Sequence, residues 1–218
     1  KKENYSKALE YFHACVDNTE DSRVSVLARR AILSLRPDEK LVYPHHRKSV
    51  AGPPPLVVEN RAVIYAQVIG SNLGAGSAAR EIVYQDAESE DPLWTYPSKT
   101  PPSTPFVMAS TPQGVRLVFG LEDGTIRAVD ARSGKEKWST PVYALSIDAD
   151  ATGVYALSES GGVTALGASD GKTRWTAKSE ASRVFVAGRR VVLESGARLT
   201  GLDADTGAAA WTATSADL

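Results

Sequence analysis

Few side chains in this 218-residue sequence are of a kind that does chemistry, and their spacing decides what they can do. The single cysteine, Cys15, lies on an apolar stripe with Ala8, Leu9, Phe12 and Val16. A thiol in such a setting is inert rather than nucleophilic, and one cysteine makes no intrachain disulfide. His45 and His46 are adjacent, so they point apart on any regular element. Arg47 and Lys48 follow them, and no Cys or carboxylate cluster stands at ligand spacing. The pair reads as part of a solvated basic linker, and His13 falls on the polar side of a helical pattern. The stretch Gly70-Ser71-Asn72-Leu73-Gly74-Ala75-Gly76 is glycine-rich but lacks the Gly-Lys-Ser/Thr end and the βαβ setting of a phosphate loop. It reads as an inserted loop. No Gly-x-Ser-x-Gly elbow exists for a serine nucleophile. The residues therefore assign no catalytic, cofactor-binding or metal-ligating side chain.

The tryptophans and the aspartates near them carry a different message. All four tryptophans share one context: Asp130-x3-Gly134-x3-Trp138, Asp203-x3-Gly207-x3-Trp211, a copy with Gly167 and Gly171 before Trp175, and a weaker copy with Asp86 and Glu90 before Trp94. Successive tryptophans stand 44, 37 and 36 residues apart. Such a period is the mark of a repeat architecture.

Each repeat predicts a small antiparallel sheet. Two β-rich runs precede the motif: Phe106–Ser110 with Val115–Leu121, Ala144–Asp148 with Val154–Ser158, and Arg183–Ala187 with Arg190–Glu194. Turns at Glu122-Asp123-Gly124 and Ser160-Gly161-Gly162 lead into third strands, Thr125–Asp130 and Val163–Gly167. The Asp-Ala-x-Ser/Thr-Gly stretch is a second turn. Its Asp accepts backbone N–H bonds and its Gly takes the positive φ, and a fourth strand carries the Trp. Four strands per unit at a period near 40 predict a mainly β fold, a partial β-propeller of about four blades. The blades cover 55–97, 104–140, 143–177 and 181–214, with residues 70–80 as an insertion in the first.

The stretch from Ala128 to Trp138 resembles the tryptophan-docking motif of the pyrroloquinoline-quinone (PQQ) enzyme repeat family. The resemblance covers about residues 53 to 214, and it implies that each indole packs between neighbouring blades in rings of seven or eight. Four such wedges span roughly half a circle. The open ring predicts further blades beyond Leu218 or from a partner, because exposed sheet faces and edges favour association.

Residues 1–36 read as a helical hairpin. A second stripe of Val24, Leu27, Ala28, Ala31, Ile32 and Leu35 follows Asp21 or Ser22 as N-cap and stops at Arg36-Pro37. Tyr5, Ala8, Phe12 and Cys15 resemble one helix of a tetratricopeptide unit. Residues 37–54 form a proline-rich linker. The chain opens Lys1-Lys2-Glu3 and reads as a piece of a longer protein. A composition of 42% hydrophobic and 23% charged residues is that of a globular domain, and 25 basic against 26 acidic residues offer no general attraction to nucleic acid. No apolar run reaches the roughly 20 residues of a membrane span.

Regular repetition without convergent chemistry predicts a non-catalytic scaffold for protein partners. The resemblance implies a setting in the cell envelope, as for the barrel-assembly lipoprotein that shares the repeat. Two alternatives stand beside it. One is part of a quinoprotein dehydrogenase, in which PQQ and Ca²⁺ are held by a site that further blades supply. The other is the sensor domain of a signalling protein such as a kinase.

Overall fold

The computed structural model describes residues 46–49, 53–58, 60–69, 79–87, 92–159 and 161–214. The expected helical hairpin, most of the linker, the loop at 70–78 and Glu90 lie outside the described residues. Seventeen strands are present among them. The first sheet contains β1 (His46–Ser49), β2 (Leu56–Val58), β3 (Arg61–Ile69), β4 (Ala79–Asp86) and β5 (Pro92–Pro97). Its order is β1-β3-β4-β5, with β2 also paired to β3. Four residues read as linker, His46–Ser49, are thus a strand.

The next three sheets each run in chain order. They are β6 (Val107–Thr111) to β9 (Glu136–Thr140) through β7 (Gly114–Gly120) and β8 (Ile126–Asp130); β10 (Ser146–Ala149) to β13 (Thr173–Lys178) through β11 (Gly153–Ser158) and β12 (Gly162–Gly167); and β14 (Arg183–Ala187) to β17 (Ala209–Thr214) through β15 (Arg190–Ser195) and β16 (Arg198–Asp203). All their pairings are antiparallel. The strands form where the β-branched and aromatic runs stand, and they break at glycines with positive φ, such as Gly124 at +84° between β7 and β8.

These sheets bury their faces against one another. One core joins the first two blades through Val63, Ile82, Phe106, Leu117 and Phe119. A second joins blades 2 and 3 through Val118, Ile126, Ile147, Val154 and Leu166, and a third joins blades 3 and 4 through Tyr155, Leu157, Val163, Val191 and Leu193. The apolar core is therefore divided among three junctions. A single four-stranded meander has too little interior to stand alone, so each blade draws stability from its neighbours.

The last two strands of every blade share one irregularity. The register shifts after Tyr84, Ala128, Ala165 and Gly201, and these four residues lie opposite Trp94, Trp138, Trp175 and Trp211. A bulge bends the strand and re-aims its side chains. Trp138 and Trp175 are buried at 7% and 9% exposure, whereas Trp211 is 40% exposed. Replacing Trp138 with Ala should destabilise the protein by about 3–5 kcal/mol, the cost of emptying a large buried aromatic site. Trp211→Ala should cost distinctly less, because 40% of that residue already meets solvent. Urea unfolding of both variants measures this, and equal costs would contradict the docked position of Trp138.

Candidate functional site

The repeat motif builds one site three times, and each copy lies at a blade junction. Trp94 donates Nε1–H to the Ala131 carbonyl at 2.8 Å, Trp138 to Ala168 at 3.0 Å and Trp175 to Ala204 at 3.0 Å. The acceptor always belongs to the turn of the following blade. Three residues beyond it stands Gly134, Gly171 or Gly207, at φ +68°, +68° and +73°. A β-carbon on these glycines would come 2.7, 2.6 and 2.6 Å from the indole of Trp94, Trp138 and Trp175. Glycine is therefore required twice over, for the left-handed backbone and for the ring that lies on it. At the middle junction Thr140 adds an Oγ1–H bond to the Gly171 carbonyl, 2.7 Å.

The motif aspartates face their own blades. Asp130 Oδ1 accepts the Ser133 amide and hydroxyl at 3.0 and 2.8 Å, and its Oδ2 faces Arg116 Nη1 at 3.2 Å. Asp203 Oδ1 accepts the amides of Asp205 and Thr206 and the Thr206 hydroxyl, and its Oδ2 meets Arg190 Nη1 at 2.8 Å. Asp86 meets Arg61 at 2.5 Å. The arginine lies directly across the ladder in all three blades: Arg61 opposite Asp86, Arg116 opposite Asp130 and Arg190 opposite Asp203. Sequence reasoning missed this pair, although the signal exists as an arginine 13 or 14 residues before the aspartate in blades 2 and 4.

Blade 3 replaces both partners together. Gly153 lies opposite Gly167. The aromatic ring of Tyr155 occupies the space above Gly153, leaving only 2.7 Å to a β-carbon there. Its hydroxyl reaches Asp150 Oδ2 at 3.2 Å. The turn keeps its backbone bonds, Gly167 N–H to Lys172 and Gly171 N–H to Gly167, as Asp130 and Asp203 do in their blades. The aspartate strengthens the turn, while the small residue and the glycine receive the indole.

Two surface features lie beside this machinery. The connection 141–145 is pinned by Leu145 N–H to the Leu157 carbonyl at 2.8 Å and by the Ser103 hydroxyl to the Ala144 carbonyl at 3.0 Å. It nevertheless exposes Tyr143 and Leu145, at 39% and 47%. A hollow of about 620 Å³ is lined by Lys178, Ser179, Glu180, Leu193, Arg198 and Leu202 among others. Among the described residues no three His, Cys, Asp or Glu side chains come together at metal-binding range. With Asp130 and Asp203 already held by arginine and turn amides, these residues do not fit a Ca²⁺–quinone site. No helix among the described residues is long and apolar enough to cross a membrane. His46 lies on β1, while His13, Cys15 and His45 fall outside the described residues.

The family described as outer membrane protein assembly factor BamB matches residues 30–152 and 147–217. The chain belongs to the BamB family. BamB from Moraxella catarrhalis superposes with a TM-score of 0.59 at 19% identity, over 77% of this chain and 50% of that one. Quinohemoprotein alcohol dehydrogenase from Comamonas testosteroni gives 0.54 at 14% identity, over 77% of this chain and 35% of that one. Saccharomyces cerevisiae Sqt1 gives 0.52 at 9%, over 72% and 59%. The chain thus spans half the length of the BamB structure; these likenesses establish a β-propeller fold, and the family match establishes its PQQ-type repeat. No curated protein matches the sequence.

The carboxyls of Asp130 and Asp203 are held below their ordinary range, chiefly by the hydroxyls of Ser133 and Thr206. Their folded-state values lie below the unfolded value of about 3.9. The folded state therefore binds fewer protons, and the stability these groups contribute is present above about pH 4 and lost as the pH falls through the folded values. The urea midpoint should drop below about pH 4, and the double variant Asp130→Asn, Asp203→Asn should flatten that drop. An unchanged acid slope in the variant would show that these carboxyls do not carry it.

Proposed function

We propose that this chain is part of a non-catalytic propeller scaffold of the cell envelope that holds protein partners on its loops. The match of residues 30–152 and 147–217 to an outer membrane protein assembly factor carries the reading. The chemistry on the page supports it. The polar side chains that the repeat sets at regular positions hold turns and ladders, as Asp130 does with Arg116 and Asp203 with Arg190. The connection with Tyr143 and Leu145 outward offers the apolar contact that protein interfaces use, at a place tied down by hydrogen bonds from Leu145 and Ser103. The chain itself carries no resident cofactor in this reading, and PQQ with Ca²⁺ enters only if other blades supply their site.

The likeness to a quinohemoprotein alcohol dehydrogenase favours a second reading, a fragment of a quinone-dependent oxidoreductase. The two separate in one experiment on the intact protein in its native envelope. A photo-crosslinking residue at Leu145 should give a discrete protein adduct, and one at Asp170 (exposed on a turn of blade 3) should not. The purified protein supplied with PQQ and Ca²⁺ should oxidise neither alcohols nor sugars. Quinone-dependent turnover with no adduct at Leu145 would overturn the scaffold reading.

A further inference from the structure

The three blade junctions repeat one geometry with different side chains, and the third leaves open a space that the first fills. At the first junction Tyr96, two residues beyond Trp94, packs its ring edge-on against Phe119, with centroids 5.7 Å apart. Its hydroxyl donates to Glu136 Oε2 and accepts from Arg127 Nη1 at 2.7 Å. Ladder register places the counterparts of these residues at the third junction. Ala177 stands two residues beyond Trp175, and Leu193 stands three beyond Arg190 as Phe119 does beyond Arg116. Thr200 precedes the bulge at Gly201 as Arg127 precedes the one at Ala128, and Ala209 pairs with Leu202 as Glu136 does with Val129. Each of these four side chains is smaller than its counterpart. The middle junction has Thr140 at the tyrosine's place, bonded to the Gly171 carbonyl, and packs Val142 on its core.

The space vacated at the third junction is the hollow of about 620 Å³, which Leu193, Thr200 and Ala209 help to line. Small-molecule sites span roughly 300–1,000 Å³. Leu193 and Leu202, at 4% and 5% exposure, give the hollow an apolar wall. Lys178 and Arg198 also line it, and neither has a carboxylate partner among the described residues, whereas Arg183 and Arg189 are taken by Glu194 and Asp205. Glu180 is the third charged residue of the lining, so two cations against one carboxylate leave one net positive charge. We propose that this hollow binds a small monocarboxylate carrying a single aromatic ring. The ring takes the place that the Tyr96 phenol holds at the first junction, against Leu193 and Leu202. A flat ring suits the gap, because packed sheets face each other about 10 Å apart. The carboxylate faces Arg198 and Lys178 in charge-assisted hydrogen bonds, and Thr200 offers a hydroxyl where Arg127 meets the phenol. One ring is what the vacated side chain held, and one negative charge is what the lining lacks. Tyr143 and Leu145 are not part of this hollow, so the site stands apart from the scaffold role proposed above.

The test titrates the full ¹⁵N-labelled chain with 4-hydroxyphenylacetate, read by amide shifts and by calorimetry. Binding should saturate, with the shifts gathered on residues 178–181 and 193–202. The neutral twin 4-hydroxyphenylacetamide should bind about tenfold more weakly or worse, and so should the acid to Arg198→Gln, since each change removes a charge-assisted hydrogen bond. The triple variant Ala177→Tyr, Thr200→Arg, Ala209→Glu rebuilds the network of the first junction and should abolish binding. Arg198 is exposed, so its variant reports on the site whether or not the triple variant folds. Equal affinity for the amide, unchanged affinity in Arg198→Gln, or shifts spread over other blades overturns the proposal. So does a lack of saturation below about 10 mM. Displacement of the acid by tetraglutamate at equal concentration would assign the hollow to an acidic protein segment and overturn it as well.

Discussion

The contact between an indole and the turn of the next blade is the interaction on which the rest of this structure depends. Apolar faces alone would let two sheets slide, because burial is non-directional and rewards many registers almost equally. The indole fixes one of them. Its ring lies flat on a glycine that has no side chain, and its N–H reaches a carbonyl three residues earlier in the same turn. At the junction of blades 2 and 3 this contact is part of a core that runs through Val118, Ile126, Val154 and Leu166. The packing supplies most of the free energy and the hydrogen bond supplies the position, since a buried indole N–H left unpaired is costly.

This division explains which parts of the repeat vary. Blade 3 has lost both the aspartate and the arginine opposite it, with Gly167 and Gly153 in their places, yet its turn keeps the same backbone bonds and still receives Trp138. The pair Arg116–Asp130 is an accessory that ties the start of one strand to the end of the next. Its loss is accommodated because Tyr155 fills the vacated volume. The glycine has no such substitute: a β-carbon there meets the ring.

Much of this was legible in the residues. Four equally framed tryptophans announced the repeat, and the strands formed within about two residues of the apolar runs, because the turn glycines mark their ends. The resemblance of Ala128 to Trp138 to the PQQ-type repeat pointed to the family to which the chain belongs. The cross-strand arginine was missed, since its signal holds only in blades 2 and 4 and ladder register sets the spacing: blade 1 puts 25 residues between Arg61 and Asp86 where blade 4 puts 13 between Arg190 and Asp203. Nor did the repeat reveal that Trp211 would be exposed, for its sequence frame is as complete as that of Trp138. Exposure there is a property of what lies beside the blade.

The proposed function rests on the same economy of side chains. A fold that spends its regular polar positions on turns and ladders leaves recognition to the loops, and loop chemistry is free to differ between members of one family. The most direct test of the account is a double-mutant cycle across the second junction, with Trp138→Ala and Gly171→Ala measured singly and together by urea unfolding. The account predicts strong coupling, of about 1–3 kcal/mol, because removing the ring abolishes its own collision with a β-carbon at residue 171 and leaves only the lesser one with Thr140. Additivity of the two changes to within about 0.5 kcal/mol would contradict it, since the ring and the glycine would then act independently.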